Sequence, residues 1–275
     1  MPIRVEEPRP TLAAALAAAD RPLTGMWVCS GSALVAEICA GSGVDWLLVD
    51  VEHGPNTLTS TLAQLQAVAA YDVVSLVRVP WNDPVQIKQY LDAGAQNLLV
   101  PMVDTAEAAA AAAAAIRYPG TAGTSTARTA GTAGDGGGIR GVGAALGRSS
   151  RWGRIPDYLA RASDTVSLTV QIETGTAVEN VEQILAVDGV DAIFLGPSDL
   201  AASLGLLGQQ EHPDVLAAVE RCVAAGAAAG KPVGINAFNP ERARAYAEGG
   251  VAFVSVGSDV TLLARGSEGL AGVLS

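Results

Sequence analysis

Two carboxylates stand where a hard metal ion could be held. Glu173 and Asp199 closely follow short apolar runs with the pattern of buried strands, at residues 167–172 and 191–195. Carboxylate oxygens are the ligands that Mg²⁺ and Mn²⁺ prefer, and two protein ligands leave positions for water and substrate. Both residues could instead cap loops, and Asp199 could cap a short helix. The pair predicts a divalent-metal site, with capping as the alternative.

A histidine and an arginine stand at two further strand ends. His53 is one of two histidines and follows Asp50 and Glu52 at the end of the second predicted strand. Imidazole titrates near neutral pH, so His53 is a candidate acid or base, or a structural residue. Arg78 ends the third predicted strand, where its guanidinium could bind a carboxylate or a developing oxyanion. The alternative for Arg78 is a salt bridge across the mouth of the fold.

The two lysines bear on how a carbonyl substrate could be activated. A Schiff-base mechanism needs a lysine amine that faces the carbonyl substrate. Lys88 falls inside a predicted helix, and Lys231 precedes a predicted strand and so lies at the opposite face. The sequence holds no other lysine. A metal ion that acts as a Lewis acid is therefore the favoured way to acidify a methyl group beside a ketone.

Eight short apolar runs alternate with alanine-rich segments of helical periodicity, which is typical of βαβ units around a parallel sheet. We predict strands at residues 24–29, 46–51, 74–79, 97–102, 167–172, 191–195, 232–235 and 252–256. We predict helices at residues 33–40, 58–70, 84–93, 106–116, 177–185, 214–229 and 241–248. This order favours an α/β fold, a closed (β/α)8 TIM barrel. An open dinucleotide-binding sheet is disfavoured because no GxGxxG sequence follows the first strand.

Length and composition indicate one domain over residues 1–275. The mass of 27.8 kDa suits a barrel, which typically needs about 250 residues. With 49% hydrophobic and 16% charged residues the chain does not resemble a disordered protein. The formal net charge of −11 argues against nucleic acid as a partner, because a phosphate backbone repels an acidic protein.

The apolar pattern predicts no membrane partner. The longest uninterrupted apolar run, residues 108–116, is far shorter than the roughly 20 residues that span a bilayer. The first residues lack the pattern of a signal peptide, so we expect a cytoplasmic protein. Cys29, Cys39 and Cys222 are too widely spaced for a zinc or redox motif, and we expect buried free thiols.

Two regions depart from the barrel pattern. Residues 120–138 are almost entirely Gly, Thr, Ala and Ser, and we predict a flexible surface insertion there, between strands 4 and 5. The whole connection, residues 104–166, is too long for a simple crossover, and we predict an extra helix near residues 155–161. Residues 1–22 are predicted to be an N-terminal extension that contains a helix.

The sequence resembles the HpcH/HpaI family of class II, metal-dependent pyruvate aldolases. The resemblance covers nearly the whole chain from Gly25 onward. It rests on residues 43–46, 50–56, 77–80, 91–95, 100–103, 117–119, 139–143, 170–174 and 195–200. Members of the family usually run directly from the Arg-Tyr-Pro element at 117–119 to the Arg-Gly-Val-Gly element at 140–143, whereas an insertion intervenes in this chain.

The resemblance implies a role for each residue of the site. It implies that Glu173 and Asp199 ligate Mg²⁺, Mn²⁺ or Co²⁺, that His53 transfers protons and that Arg78 stabilises an enolate. It further implies that Asp50 lies beside the histidine. The implied substrate-binding residues are Trp27, Gln171, Gly196, Pro197 and Ser198.

The resemblance also implies an oligomer. Family members tend to be hexamers built as trimers of domain-swapped dimers, and Asp92 is paired with His53 as a catalytic dyad. In a barrel Asp92 lies at the end of the third predicted helix, which runs back down the outside, and should lie near the face opposite His53. We therefore expect that Asp92 of one subunit reaches the His53 of a neighbour, with helix capping as the alternative role for Asp92.

The implied reaction is cleavage of 4-hydroxy-2-oxo acids, such as 4-hydroxy-2-oxoheptanedioate, to pyruvate and an aldehyde such as succinate semialdehyde. Three alternatives stay open at the level of sequence. The chain could cleave keto-deoxy sugar acids such as 2-keto-3-deoxy-rhamnonate or 5-keto-4-deoxy-glucarate. It could be an acyl-CoA lyase, which its shortage of lysine disfavours, or a non-catalytic barrel subunit.

Overall fold

Eight parallel strands close into a barrel in which neighbours in sequence are neighbours in space. A computed structural model describes residues 9–120 and 137–274. Strand β8 pairs with β1, and this pairing completes the closed order β1 to β8. The strands are β1 (Leu23–Val28), β2 (Trp46–Asp50), β3 (Val74–Arg78), β4 (Asn97–Val100), β5 (Ser167–Ile172), β6 (Ala192–Leu195), β7 (Val233–Asn236) and β8 (Phe253–Ser258). The predicted (β/α)8 barrel is confirmed.

Helices follow the strands and cover the outside of the barrel. In chain order they are α1 (Leu12–Ala18), α2 (Ala33–Ala40), α3 (Leu58–Ala67), α4 (Pro84–Asp92), α5 (Ala106–Ile116), α6 (Tyr158–Arg161), α7 (Gly175–Glu179), α8 (Val181–Leu185), α9 (Pro197–Ser203), α10 (Pro213–Ala229), α11 (Pro240–Glu248) and α12 (Asp259–Ala271). Short 3₁₀ turns extend several of them. Of the described helices, none is long and apolar enough to cross a membrane.

Side-chain caps fix where several helices begin. Asp83 accepts hydrogen bonds from the amides of Val85 and Gln86, and Pro84 occupies the first turn of α4, where its missing N–H has no partner to lose. Thr57 and Ser60 form a reciprocal capping box at α3. Such local signals explain why the predicted starts of these helices agree with the structure.

Two predicted helices need correction. The helix predicted at residues 58–70 changes to a 3₁₀ turn over Val68–Ala70, and the one at 177–185 is two short helices, α7 and α8. Between the latter pair, Asn180 has non-helical φ and ψ of −97° and 6°, and its side-chain amide donates to Asp104 O at 2.8 Å. An asparagine side chain that bonds to distant backbone competes with the helix, so the pattern breaks there.

Aromatic rings fill the interior of the barrel. Trp46 lies edge-to-face with Phe194 and Phe253, with ring centroids 6.2 and 5.8 Å apart, distances typical of favourable aromatic pairs. A Cβ on Gly25 would lie 2.0 Å from the Trp46 ring, and one on Gly234 would lie 2.4 Å from Phe253. The strands can carry these large rings because glycine faces them, and this packed interior supports the cavity at one end.

The N-terminal helix closes the other end of the barrel. Leu12 is fully buried, and its amide donates to Asn97 Oδ1 at 2.6 Å, at the start of β4. Leu12 packs in the same cluster as the interior rings. The helix predicted within residues 1–22 is therefore present as α1, and it lies at the amino ends of the strands.

The connection from β4 to β5 returns to the end of α5 and then packs as a small cluster. Ile139 N donates to Ala114 O and Arg140 N to Arg117 O, both at 2.9 Å. A Cβ on Gly138 would lie 2.3 Å from Arg117 O. Most of the predicted insertion at residues 120–138 lies outside the described residues, but its last residue is tightly packed. The helix predicted near 155–161 is shorter than expected, at Tyr158–Arg161.

Candidate active site

A cavity of about 380 Å³ opens at the carboxyl ends of the strands. Catalytic groups of TIM barrels come from this face. The lining residues are Trp27, Cys29, Asp50, His53, Arg78, Gln171, Gly196, Pro197, Ser198, Asp199, Asn236, Phe238 and Ser258. Nine of the eleven residues predicted for the site are among them. The other two are Glu173, which lies directly behind Gln171 and Gly196, and Asp92.

A buried arginine joins β2 to β3 at the mouth of the barrel. Arg78 Nε donates to Asp50 Oδ1 at 2.9 Å and Nη2 donates to Oδ2 at 2.8 Å, a bidentate pair with both side chains about 95% buried. Arg78 Nη1 lies 2.8 Å from Glu52 Oε2. The guanidinium carbon lies 4.2 Å from the ring centre of Trp27, a cation–π contact. These contacts hold the guanidinium in one orientation at the cavity.

Asp50 also shapes the loop that carries the histidine. Its Oδ1 accepts hydrogen bonds from the amides of Glu52 and His53, at 3.1 and 3.3 Å. Asn56 Nδ2 donates to Asp50 O at 2.7 Å, and a Cβ on Gly54 would lie 2.5 Å from that same oxygen. Such a tight turn needs glycine and places His53 at the rim, with 64% of its side chain exposed and Nε2 3.9 Å from Glu52 Oε2.

Glu173 is buried at the floor of the cavity. Its Oε1 accepts from Gln171 Nε2 at 2.6 Å and its Oε2 from Met102 N at 3.0 Å. Met102 has a φ of 54°, a left-handed conformation that is uncommon for residues other than glycine and that directs its amide to the carboxylate. A Cβ on Gly196 would lie 2.7 Å from Glu173 Oε1, so only glycine fits beside this carboxylate.

Burial raises the pKa of Glu173 to about 7. The hydrogen bond from Met102 and the charge of Arg78 oppose this shift, while the negative charges of Glu52 and Asp199 add to it. Burial likewise raises the pKa of Glu52, against the opposing charges of Arg78 and His53. Burial and nearby negative charge therefore disfavour the ionised forms of Glu173 and Glu52, and a cation beside them would offset that cost.

The donor set at this floor fits a divalent cation. Asp199 is exposed in the cavity, Glu173 is buried beneath it, and Gln171 Oε1 is buried without a hydrogen-bond partner among the residues that the structure describes. All are oxygens, as hard cations require. Within the described ranges, no three His, Cys, Asp or Glu side chains form a complete ligand group. A cation held by two carboxylates would fill the rest of its shell with water or substrate oxygens.

Residues 196–198, which form the turn after β6, have few backbone N–H groups that are available to a ligand. Gly196 N already donates to Ile172 O at 3.2 Å, and Pro197 has no N–H. Ser198 and Asp199 lie in the first turn of α9, where amides have no partner within the helix. Among residues 196–198 the amide of Ser198 is therefore the one available to a bound oxyacid.

Several lining residues were not predicted. Cys29, Asn236, Phe238 and Ser258 come from the ends of β1, β7 and β8, and β7 and β8 run one and two residues further than predicted. Asn236 Oδ1 accepts from Trp27 Nε1 at 3.1 Å. Burial raises the pKa of Cys29 to about 12, so its thiol stays protonated. Asn236 could have been found, because it is a polar residue directly after the apolar run at 232–235.

Asp92 lies away from this cavity in the chain. It is the last residue of α4, and its Oδ1 accepts from Arg140 Nη2 at 2.9 Å. The guanidinium of Arg140 is fully buried and lies over the ring of Tyr118 at 4.4 Å. No described residue forms a hydrogen bond with Asp92 Oδ2, and 29% of the side chain is exposed. Neither Lys88 nor Lys231 lines the cavity.

Comparison with known proteins places this architecture in a family. The sequence profile of the HpcH/HpaI aldolase/citrate lyase family matches residues 23–266. The chain belongs to the HpcH/HpaI family. This HpcH/HpaI chain is 50% identical over 253 residues to the 4-hydroxy-2-oxo-heptane-1,7-dioate aldolase of Salmonella dublin, which covers 92% of the chain and 90% of the relative.

Solved structures agree with this assignment. An HpcH/HpaI aldolase/citrate lyase family protein from Burkholderia cenocepacia J2315 is 41% identical, with a TM-score of 0.85 over 96% of this chain and 99% of that one. An HpcH/HpaI aldolase from Desulfitobacterium hafniense DCB-2 is 26% identical, with a TM-score of 0.81 over 96% and 97%. The HpcH/HpaI chain is thus a class II aldolase, a carbon–carbon lyase of small molecules that uses a divalent metal ion.

Proposed function

We propose that the enzyme cleaves 4-hydroxy-2-oxo acids, with 4-hydroxy-2-oxoheptanedioate as its substrate, to pyruvate and succinate semialdehyde. The observation that carries this proposal is the floor of the cavity, where a buried arginine stands beside the buried Glu173 and the exposed Asp199. The carboxylate and keto oxygens of a 2-oxo acid are adjacent and suit a cation. When the C3–C4 bond breaks, the keto oxygen becomes an enolate oxygen, and its negative charge suits a guanidinium. The 50% identity to a relative with that substrate in its name supports the choice.

Glu173 and Asp199 would hold the cation, which supplies Lewis acidity to the oxygens of the 2-oxo acid. Gln171 holds Glu173 in place, and its free Oε1 faces the same floor. The amide of Ser198 would bind the substrate carboxylate. Trp27 provides an apolar wall whose ring is fixed by Asn236.

Arg78 would stabilise the negative charge that develops on the substrate. Asp50 accepts hydrogen bonds from two of the five guanidinium N–H groups, through Nε and Nη2, and Glu52 forms an ion pair with Nη1. The remaining donors would meet the enolate oxygen as the C3–C4 bond breaks. Because Asp50 and Trp27 already fix the guanidinium, little reorganisation would be needed during the reaction.

His53 would move the protons. In cleavage the C4 hydroxyl loses a proton, the C3–C4 bond breaks to release the aldehyde, and C3 takes up a proton to give pyruvate. His53 stands at the rim, and Glu52 is its nearest acidic neighbour in the chain. Asp50 fixes the His53 backbone and serves as a positioning residue.

The assembly and the metal are further parts of this proposal. We propose a cytoplasmic homo-oligomer, a hexamer built from dimers, in which Asp92 of one subunit orients His53 of its neighbour. Asp92 Oδ2 has no hydrogen-bond partner in the described part of the chain, which supports this proposal, since Arg140 engages the other oxygen. Mg²⁺, Mn²⁺ and Co²⁺ all suit an oxygen site with open positions.

A substrate panel tests the proposed reaction. Purified enzyme with Mn²⁺ is given 4-hydroxy-2-oxoheptanedioate, 5-keto-4-deoxy-glucarate, 2-keto-3-deoxy-rhamnonate and a hydroxyacyl-CoA thioester. Pyruvate release from the oxo acids is followed with lactate dehydrogenase, and cleavage of the thioester is followed by liquid chromatography of the CoA species. We expect the highest kcat/KM for 4-hydroxy-2-oxoheptanedioate and no turnover in excess chelator. A higher kcat/KM for a sugar acid would transfer the assignment to that substrate, and turnover of the thioester alone would refute it.

A further inference from the structure

A second cavity lies at the opposite end of the barrel from the active site. It has a volume of about 190 Å³ and is bordered by the loops that precede β4 and β5. Three arginines line it: Arg9, Arg148 and Arg151. We name it the arginine pocket after these three residues. Because its loops lead into the amino ends of strands, it shares no lining residue with the catalytic cavity.

The positive charge of this pocket has no counterpart in the described part of the chain. No Asp or Glu among residues 9–120 and 137–274 lines the pocket or forms an ion pair with any of the three arginines. Arg9 donates to the carbonyl oxygens of Ala69 and Tyr71, which are neutral. Three like charges converge in a protein whose net charge is −11. This arrangement is unfavourable without an anion.

Arg148 is the buried member of the group. Its side chain is 91% buried, and Nη1 and Nη2 donate weakly to Ala93 O and Leu65 O, both at 3.3 Å. Burial lowers the pKa of Arg148 to about 10, and the neighbouring charge of Arg151 adds to this effect. A Cβ on Gly94 would lie 2.5 Å from Arg148 Nη1, so glycine leaves the space that this guanidinium occupies.

Two further residues of the arginine pocket favour a polar ligand. Ser149 lines it, and its buried hydroxyl has no hydrogen-bond partner among the described residues. The Arg151 side chain donates no hydrogen bond to any residue that the structure describes, and both Arg151 and Trp152 adopt left-handed φ values, of 54° and 56°. Two successive left-handed residues other than glycine are costly, and such strain concentrates at binding sites.

We propose that the arginine pocket binds a small dianion, either inorganic phosphate or the phosphate of a small metabolite, or a short dicarboxylate. Guanidinium groups bind both kinds of oxyanion in a bidentate manner. A volume near 190 Å³ suits an oxyanion of a few heavy atoms. A dianion would neutralise two of the three charges and accept the hydrogen bond of Ser149.

Equilibrium dialysis of the metal-loaded enzyme with radiolabelled phosphate tests this site. Arg151→Gln should weaken phosphate binding roughly 10- to 100-fold, the effect of one lost charged hydrogen bond. Arg154→Gln is the matched control, because it removes the same charge from an exposed residue of the same segment that does not line the pocket. It should change binding by less than about twofold, since an exposed charge is screened.

Competition identifies which dianion fits. Displacement of labelled phosphate by succinate at similar concentration supports a site that binds short dicarboxylates. Retention of the labelled phosphate supports a site that binds phosphate. Three results overturn the proposal: no saturable binding at millimolar phosphate, equal losses in the Arg151 and Arg154 variants, or loss of the label in Arg78→Gln with retention in Arg151→Gln. The last result would place the phosphate in the catalytic cavity.

Discussion

Arg78 combines two roles in one side chain, and its removal affects both stability and rate. It is about 95% buried and neutralises Asp50, which is equally buried. It also supplies the guanidinium of the proposed enolate site. A buried carboxylate left without its partner is strongly destabilising, so the two effects must be measured separately.

We predict that Arg78→Ala slows exchange of the pyruvate methyl protons in heavy water by about 100- to 1,000-fold, the cost of losing one oxyanion donor. The free energy of unfolding should fall by roughly 3–5 kcal/mol, because Asp50 remains buried and unpaired. NMR measures the first and urea denaturation the second. Arg265→Ala, which breaks an exposed pair with Glu268, is the control. Wild-type exchange in Arg78→Ala would mean that Arg78 serves only the fold.

Glu173 makes the metal-free enzyme less stable as pH rises. Its pKa is raised from 4.5 to about 7 in the folded state, so the folded protein binds the proton more tightly than the unfolded chain does. Stability is therefore lost between about pH 4.5 and 7, by roughly 3 kcal/mol at 1.36 kcal/mol per pKa unit. In chelator, wild type should lose this much more stability over that range than Glu173→Gln. Parallel losses would mean that the carboxylate has an ordinary pKa.

Apart from Asp92, which ends a helix, the predicted site residues lie in or shortly after an apolar run that forms a strand. Asp50, Arg78 and Gln171 could be found because strand periodicity alone directs them to one mouth. Asn236 and Ser258 were missed because a shift of one or two residues in a strand end changes which residue meets the cavity. The amide of Met102 could not be found, since its left-handed backbone leaves no trace in the sequence.

The final helix is an element that hydrophobic periodicity does not detect. Helix α12 contains Gly266 and Gly269, which weaken a helical pattern, and it was not predicted. Its large apolar residues Leu262, Leu263 and Leu270 are 60–76% exposed, so they do not mark a face toward the barrel core. Helix prediction from a sequence relies on an apolar stripe that faces the core, whereas the apolar stripe of α12 faces solvent. The stripe fits the proposed oligomer.

Gly138 closes the connection between β4 and β5, and we predict that it tolerates no side chain. A Cβ there would lie 2.3 Å from Arg117 O and 2.5 Å from Tyr118 O, both backbone atoms that cannot turn aside. Gly138→Ala should lower the free energy of unfolding by about 1–3 kcal/mol, as overpacking usually does. The control Gly266→Ala has open space within α12 and should be neutral or stabilising. Urea denaturation compares the two variants. Equal midpoints would show that the backbone of the connection shifts to accommodate the added methyl group.

In the proposed oligomer, a complete active site needs residues of two chains. We predict that His53→Ala and Asp92→Asn are each nearly inactive and that reassembled mixtures regain activity. In a mixed pair, one site would hold the intact His53 of one chain and the intact Asp92 of the other. Asparagine keeps an acceptor for Arg140, which limits damage to the fold.

The control for this experiment pairs two residues of a single cavity. His53 and Arg78 both line the same pocket of one chain, so mixtures of His53→Ala and Arg78→Ala should regain nothing. Pyruvate release after dilution from mild denaturant provides the measurement. Equal recovery in both mixtures, or none in either, would contradict a shared site.

The hydrogen bonds of Ile139 and Arg140 to the end of α5 return the chain to the place that it left near Pro119. In engineering terms, we expect the segment between Gly120 and Gly138 to accept an insertion, because the described residues on both sides of it lie at the end of α5. The closure entropy of a flexible loop grows only with the logarithm of its length, by about 0.6 kcal/mol for each doubling. An affinity tag, a fluorescent reporter or a whole domain placed there would begin and end beside α5, on the outside of the barrel.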